Sequence, residues 1–141
     1  MSLRVVLDGD TLMDALTQDT ENVLQTLVRI CDHVVLNELV QREYSRNKAL
    51  LKVLPELEKL RELKPKPKVM EAYKGPKPSV STPRGHHTDL FAGAVWAQAN
   101  ILITHIKLRG KWSNLAQTLQ AQYQLQVLSP DQYLSERGRT N

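Results

Sequence analysis

Apolar positions along this chain fall into two kinds of run. In Arg4-Val5-Val6-Leu7 three apolar residues in a row run into Asp8-Gly9-Asp10. His33-Val34-Val35-Leu36, Ile101-Leu102-Ile103-Thr104 and Leu125 to Leu128 repeat that form. Short apolar runs with turn residues behind them suit strands buried on both faces, as in parallel sheets covered by helices. Between them the spacing turns helical. The pattern predicts a short helix over Thr11–Leu16 with Asp10 as its N-cap, and another over roughly 20–31 through Val23, Leu24, Leu27, Val28 and Cys31. Asn37 is expected to cap a helix holding Glu38, Leu39, Tyr44 and Leu50, and Pro55 to open a further one. Thr88 is expected to cap a helix that Asn100 ends, and Ser113 one that runs to about Tyr123. Ser129-Pro130-Asp131 reads as a last short turn.

Strands alternating with helices predict an α/β fold, a three-layer α/β/α sandwich around a central parallel sheet of about four strands. The 141 residues suffice for one domain over 1–135, with a flexible tail at 136–141. The segment 64–84 carries Pro65, Pro67, Pro76, Pro78 and Pro83, lacks periodicity and reads as a long loop.

Charge changes this picture locally. The formal net charge is +4, yet 64–84 alone sets Lys64, Lys66, Lys68, Lys74, Lys77 and Arg84 against the single acid Glu71. The rest of the chain is close to neutral. A local patch of this sign suits contact with a polyanion, so these six cations are the candidate nucleic-acid-binding residues. Apolar stretches are too short to span a bilayer, the start of the chain lacks a signal-peptide pattern, and the lone Cys31 fits a reducing cytoplasm.

Acids supply the candidate chemistry. Asp8 follows strand one, Glu38 starts the helix after strand two, and Asp89 starts the helix before strand three. In right-handed crossovers helix N-termini gather at the carboxyl edge of the strands, so all three are expected at one rim. Two carboxylates about 5 Å apart repel by roughly 3 kcal/mol at an effective dielectric near 20. Such a group calls for a cation, and hard oxygen donors suit Mg²⁺ or Mn²⁺. His86-His87 lacks Cys or His partners at zinc-site spacing and reads as a solvated helix start, while Trp96 and Trp112 read as packing residues.

The stretches RVVLDGDTLMDAL, HVVLNELVQREY and HTDLFAGAVWAQANILITHI, in this order and spacing, resemble the PIN-domain family over about 4–134. The resemblance implies an Mg²⁺- or Mn²⁺-dependent ribonuclease. It implies RNA as substrate and, as in toxin–antitoxin members, an antitoxin protein as partner, with a homodimer also compatible. It further implies Asp8, Glu38 and Asp89 as catalytic and metal-binding acids, with Asp10 in a neighbouring polar position. The family's fourth acid is replaced by Ile106, which leaves Thr104, His105 and Asp10 as auxiliary candidates. That departure opens a second reading, an inactive PIN-like module that binds RNA or protein. Asp8-Gly9-Asp10-Thr11-Leu12 also resembles the first motif of haloacid dehalogenase-like phosphatases. That family's downstream acidic pair has no counterpart here beyond Asp131 and Glu136.

Overall fold

A computed structural model describes residues 3–17, 22–30, 32–52, 55, 62–63, 66–70 and 75–137. Its order is β1 (Arg4–Leu7), α1 (Gly9–Thr17), α2 (Val23–Ile30), β2 (His33–Val35), α3 (Glu38–Ser45), α4 (Lys48–Leu51) and β3 (Lys68–Met70). There follow a 3₁₀ turn at Pro83–Gly85, α5 (Thr88–Trp96), β4 (Ile101–Ile103), α6 (Lys111–Tyr123), β5 (Gln126–Leu128) and α7 (Pro130–Arg137). The expected helix after Pro55, Cys31, and residues 138–141 of the expected tail lie outside the described residues, wholly or in large part.

One parallel sheet runs in the order β3-β2-β1-β4-β5, and the helices make it a three-layer α/β/α sandwich. Val5 and Val6 in β1, and Val34 and Val35 in β2, are fully buried, as strands covered on both sides should be. Register is pinned at Val5 with Val34 on one side and with Ile101 on the other. Beyond the strands, Asn100 Oδ1 accepts from Arg4 N, and the buried Asp32 accepts from Leu3 N and the Tyr133 hydroxyl. Among the described residues, no helix is long and apolar enough to cross a membrane.

The sheet has a fifth strand. Lys68-Val69-Met70, inside the expected loop, pairs in parallel with His33-Val34-Val35. Three residues at an edge leave too short a run for a period to appear, and the exposed Lys68 gives that edge a charge. Local signals shift several boundaries. Asp8, not Asp10, caps α1: its Oδ1 accepts from Thr11 N and its carbonyl from Leu12 N. The helix after Asn37 is two, because Asn47 takes extended backbone and caps α4 through its side chain. Thr88 is the first residue of α5, preceded by a left-handed His87 with no side-chain cap, and the helix ends at Trp96, before Asn100. Helix α6 starts at Lys111, ahead of Ser113, after Gly110 at φ 61°. The expected turn at 129–131 is the start of α7, where Ser129 and Gln132 each accept from the other's backbone N–H.

Candidate functional site

The strand order reverses between β1 and β4, since one crossover leads from β1 to β2 and the later one to the opposite side. Ligands in open α/β sheets bind beyond the strands' carboxyl ends at such a point. Asp8 stands there. It is 6% exposed, and its Oδ2 accepts from the Thr104 hydroxyl at 2.7 Å and from His105 N at 2.8 Å, both just past β4. With Thr11 N on Oδ1, three donors hold this carboxylate. Because β4 ends at Ile103, His105 is free of strand alternation. Its Nδ1 lies 3.1 Å from Thr11 Oγ1 and 3.6 Å from Asp8 Oδ1, and its Nε2 lies 3.2 Å from Asp14. Thr104 and His105 thus fix Asp8 from the adjoining strand. Ile106 is half-buried, and its N–H donates to Thr104 Oγ1.

A cleft of about 400 Å³ opens beside Asp8, lined among others by Asp10, Glu43, Arg46, Lys48 and His87. Its second well-buried acid is Glu43, with a side chain 12% exposed. Glu38 points elsewhere. It is 54% exposed, pairs with Lys77 at 2.5 Å and Arg42 at 3.8 Å, and its hydrogen bond to Lys77 lowers its pKa. Helical geometry gives the reason: at 3.6 residues per turn, positions five apart lie about 140° apart around the axis. Glu43 follows Leu39 by four residues and Val40 by three, so it sits on the helix's buried flank. That spacing was the available signal for it.

Asp89 reaches the same neighbourhood through Arg46. Arg46 Nη2 is 2.5 Å from Asp89 Oδ2 and Nη1 is 3.9 Å from Glu43 Oε1, while Arg42 lies 3.9 Å from Asp89 Oδ1. The close Arg46 contact is a charge contact without hydrogen-bond alignment, so Asp89 Oδ2 is buried without a hydrogen bond. His87, expected as part of a solvated helix start, instead completes the group. Its Nδ1 is 2.7 Å from Glu43 Oε2, and that hydrogen bond raises its pKa against the opposing effect of burial. Its ring also faces Trp112, which stacks on Phe91 at 5.7 Å, and Trp96 is buried.

The candidate cations disperse. Lys77 is committed to Glu38 and lies 6.0 Å from the Trp96 ring centre; Lys66, Lys68 and Arg84 are exposed; Lys64 and Lys74 lie outside the described residues. A second basic stretch, absent from the candidates, follows His105, which contacts Asp8: Lys107 and Arg109 are exposed on the loop and Lys111 is exposed at the start of α6. Ile106 and Leu108 between them pack partly against the core.

Asp8, Asp10, Glu43 and Asp89 fit a hard divalent cation by donor type. Asp8 keeps acceptor capacity beyond its three bonds, and Asp89 Oδ2 is met by a close but poorly aligned Arg46 contact. Among the described residues, however, no three His, Cys, Asp or Glu side chains already stand close enough to hold a metal ion. Cationic side chains, Arg46 above all, lie between the acids. No family model matches the sequence, and no curated protein or solved structure matches it significantly.

Proposed function

We propose that this chain is a divalent-metal-dependent ribonuclease resembling PIN domains, with Asp8, Glu43 and Asp89 as metal-holding acids and Asp10 at the rim. The observation that carries the reading is the buried Asp8, held by three donors at the reversal point of the sheet and opening onto a cleft shared with Glu43. A carboxylate so fixed keeps its position when a cation or a phosphate approaches, which is the preorganisation that catalysis needs. Mg²⁺ or Mn²⁺ held there supplies Lewis acidity toward a phosphodiester oxygen. Thr104 and His105 orient Asp8, and His87 holds a proton against Glu43. Lys48 in the cleft and Lys107, Arg109 and Lys111 beyond it give an RNA backbone cations to follow without reading its sequence. A toxin role, a cytoplasmic setting, and an antitoxin or second copy as partner belong to the same proposal and rest on the resemblance.

Cleavage of single-stranded RNA in Mn²⁺ tests it. Wild type should cut, and chelator or Asp8→Asn should abolish cutting. Glu43→Gln should cost about 10–100-fold, the range seen when a metal site is disturbed, whereas Glu38→Gln should stay within about threefold of wild type. Equal losses from Glu38→Gln and Glu43→Gln would remove Glu43 from the site. A second reading, a module that binds RNA without cutting it, is favoured by Ile106 in place of an acid and by the arginine-paired carboxylates. RNA bound tightly but left intact in Mn²⁺ would establish that reading instead.

A further inference from the structure

We propose that Arg46 is a built-in counter-cation that competes with the divalent ion for Glu43 and Asp89 and so sets the affinity of the site. The inference rests on the metal reading above and adds a residue to it. Arg46 follows the last turn of α3, which also carries Glu43, and the Arg46 backbone N–H closes that helix. From there its guanidinium reaches two acids from different elements, Glu43 on α3 and Asp89 on α5. It is the side chain that joins the acid lining the cleft to the acid behind it.

Three features make this contact exchangeable. At 2.5 Å from Asp89 Oδ2 and 3.9 Å from Glu43 Oε1, Arg46 supplies charge, but Asp89 Oδ2 still lacks a hydrogen bond. A divalent ion at that oxygen would replace a charge contact that lacks hydrogen-bond alignment. The Arg46 side chain is 59% exposed, so it can leave the acids for water by rotating its flexible stem. Both acids keep another partner when it leaves, Asp89 in Arg42 and Glu43 in His87. The carboxylates can therefore stay in place while one positive charge replaces another. Lys48 offers a built-in comparison. It lines the same cleft, carries the same charge, and is absent from the ion pairs that join Glu43 to Asp89.

Calorimetric titration of Mn²⁺ into the full chain tests the idea without reference to cleavage. Arg46→Gln should bind Mn²⁺ about tenfold more tightly than wild type, equivalent to about 1.4 kcal/mol. Lys48→Gln should change affinity by less than about threefold. Adding Asp89→Asn to Arg46→Gln should cancel the gain, since the released acid is then neutral. Thermal melting supplies a second readout: in chelator Arg46→Gln should melt below wild type, and saturating Mn²⁺ should raise its midpoint more than that of wild type. Should Arg46→Gln not fold, Arg46→Lys, with one arm in place of two, should still bind Mn²⁺ more tightly than wild type. Equal or weaker affinity in the Arg46 variants, or a gain no larger than that of Lys48→Gln, would overturn the proposal and leave the metal reading standing. Absence of Mn²⁺ binding in wild type and Arg46→Gln alike would remove the metal reading, and this proposal with it.

Discussion

In the cleft, the hydrogen bond from His87 to Glu43 favours the protonated imidazole. Hydrogen bonding to Glu43 raises the His87 pKa above 6.5, with Asp8 and Asp10 adding smaller effects of the same sign. A raised folded-state pKa means that folding favours the protonated ring. Its stabilisation is fully present below about pH 6.5 and disappears as pH climbs through the raised value. Denaturant midpoints followed across that window should fall with rising pH more steeply for wild type than for His87→Gln. Parallel profiles would show the pair to be energetically silent. At this scale the sequence showed where Asp8 and Asp89 stand, behind a strand and in the first turn of a helix, but not that Glu43 and His87 line the cleft. An acid behind an apolar strand announces itself, whereas choosing between Glu38 and Glu43 needs the rotation of one helix relative to its neighbours. His87 stands just before its helix in a left-handed backbone conformation at φ 60°, which no residue type at that position signals.

Between elements, the tightest fit joins α3 and α5. Small residues in Ala92-Gly93-Ala94 signal a close approach. In the structure it is α3 that comes near, since Asn37 caps α3 with its oxygen and donates its amide to Gly93 O at 2.9 Å. A Cβ at Gly93 would meet Val40 Cγ2 at 2.8 Å and Asn37 Oδ1 at 3.0 Å. Gly93→Ala should therefore destabilise the fold by about 1–3 kcal/mol, the usual cost of overpacking, measured by urea denaturation. A change within about 0.5 kcal/mol would mean that α3 shifts freely, and with it Glu43. The same scale explains what stayed illegible. Strand β3 is too short to show a period, and α7 starts at a reciprocal Ser129–Gln132 cap followed by a proline, residues that equally spell a turn.

For the whole molecule, the alternation of strands and helices was sufficient to predict the parallel sandwich, because helical crossovers join neighbouring strands in parallel. Charge distribution was less legible, since burial and pairing decide which cations are available. Lys77, counted among the candidates, is held by Glu38, while Lys107, Arg109 and Lys111, in the stretch that follows Asp8's neighbour His105, lie exposed. Neutralising those three together should flatten the salt dependence of single-stranded RNA binding. The log–log slope should fall by about 0.7 for each phosphate that no longer meets a cation, so by about 2 in all. An unchanged slope would place the RNA elsewhere. Finally, the central position of β1 bears on how the chain is made. Arg4 N–H finds its acceptor on Asn100, 96 positions later. At about 5–20 residues per second, that wait on the ribosome lasts about 5–20 s. Until β4 emerges, the Val5-Val6-Leu7 edge that will receive it has open backbone groups on three apolar residues that the fold buries. An unpaired edge of that kind invites a strand from another chain. Synthesis therefore exposes the strand that carries Asp8 to mispairing before its proper neighbour exists.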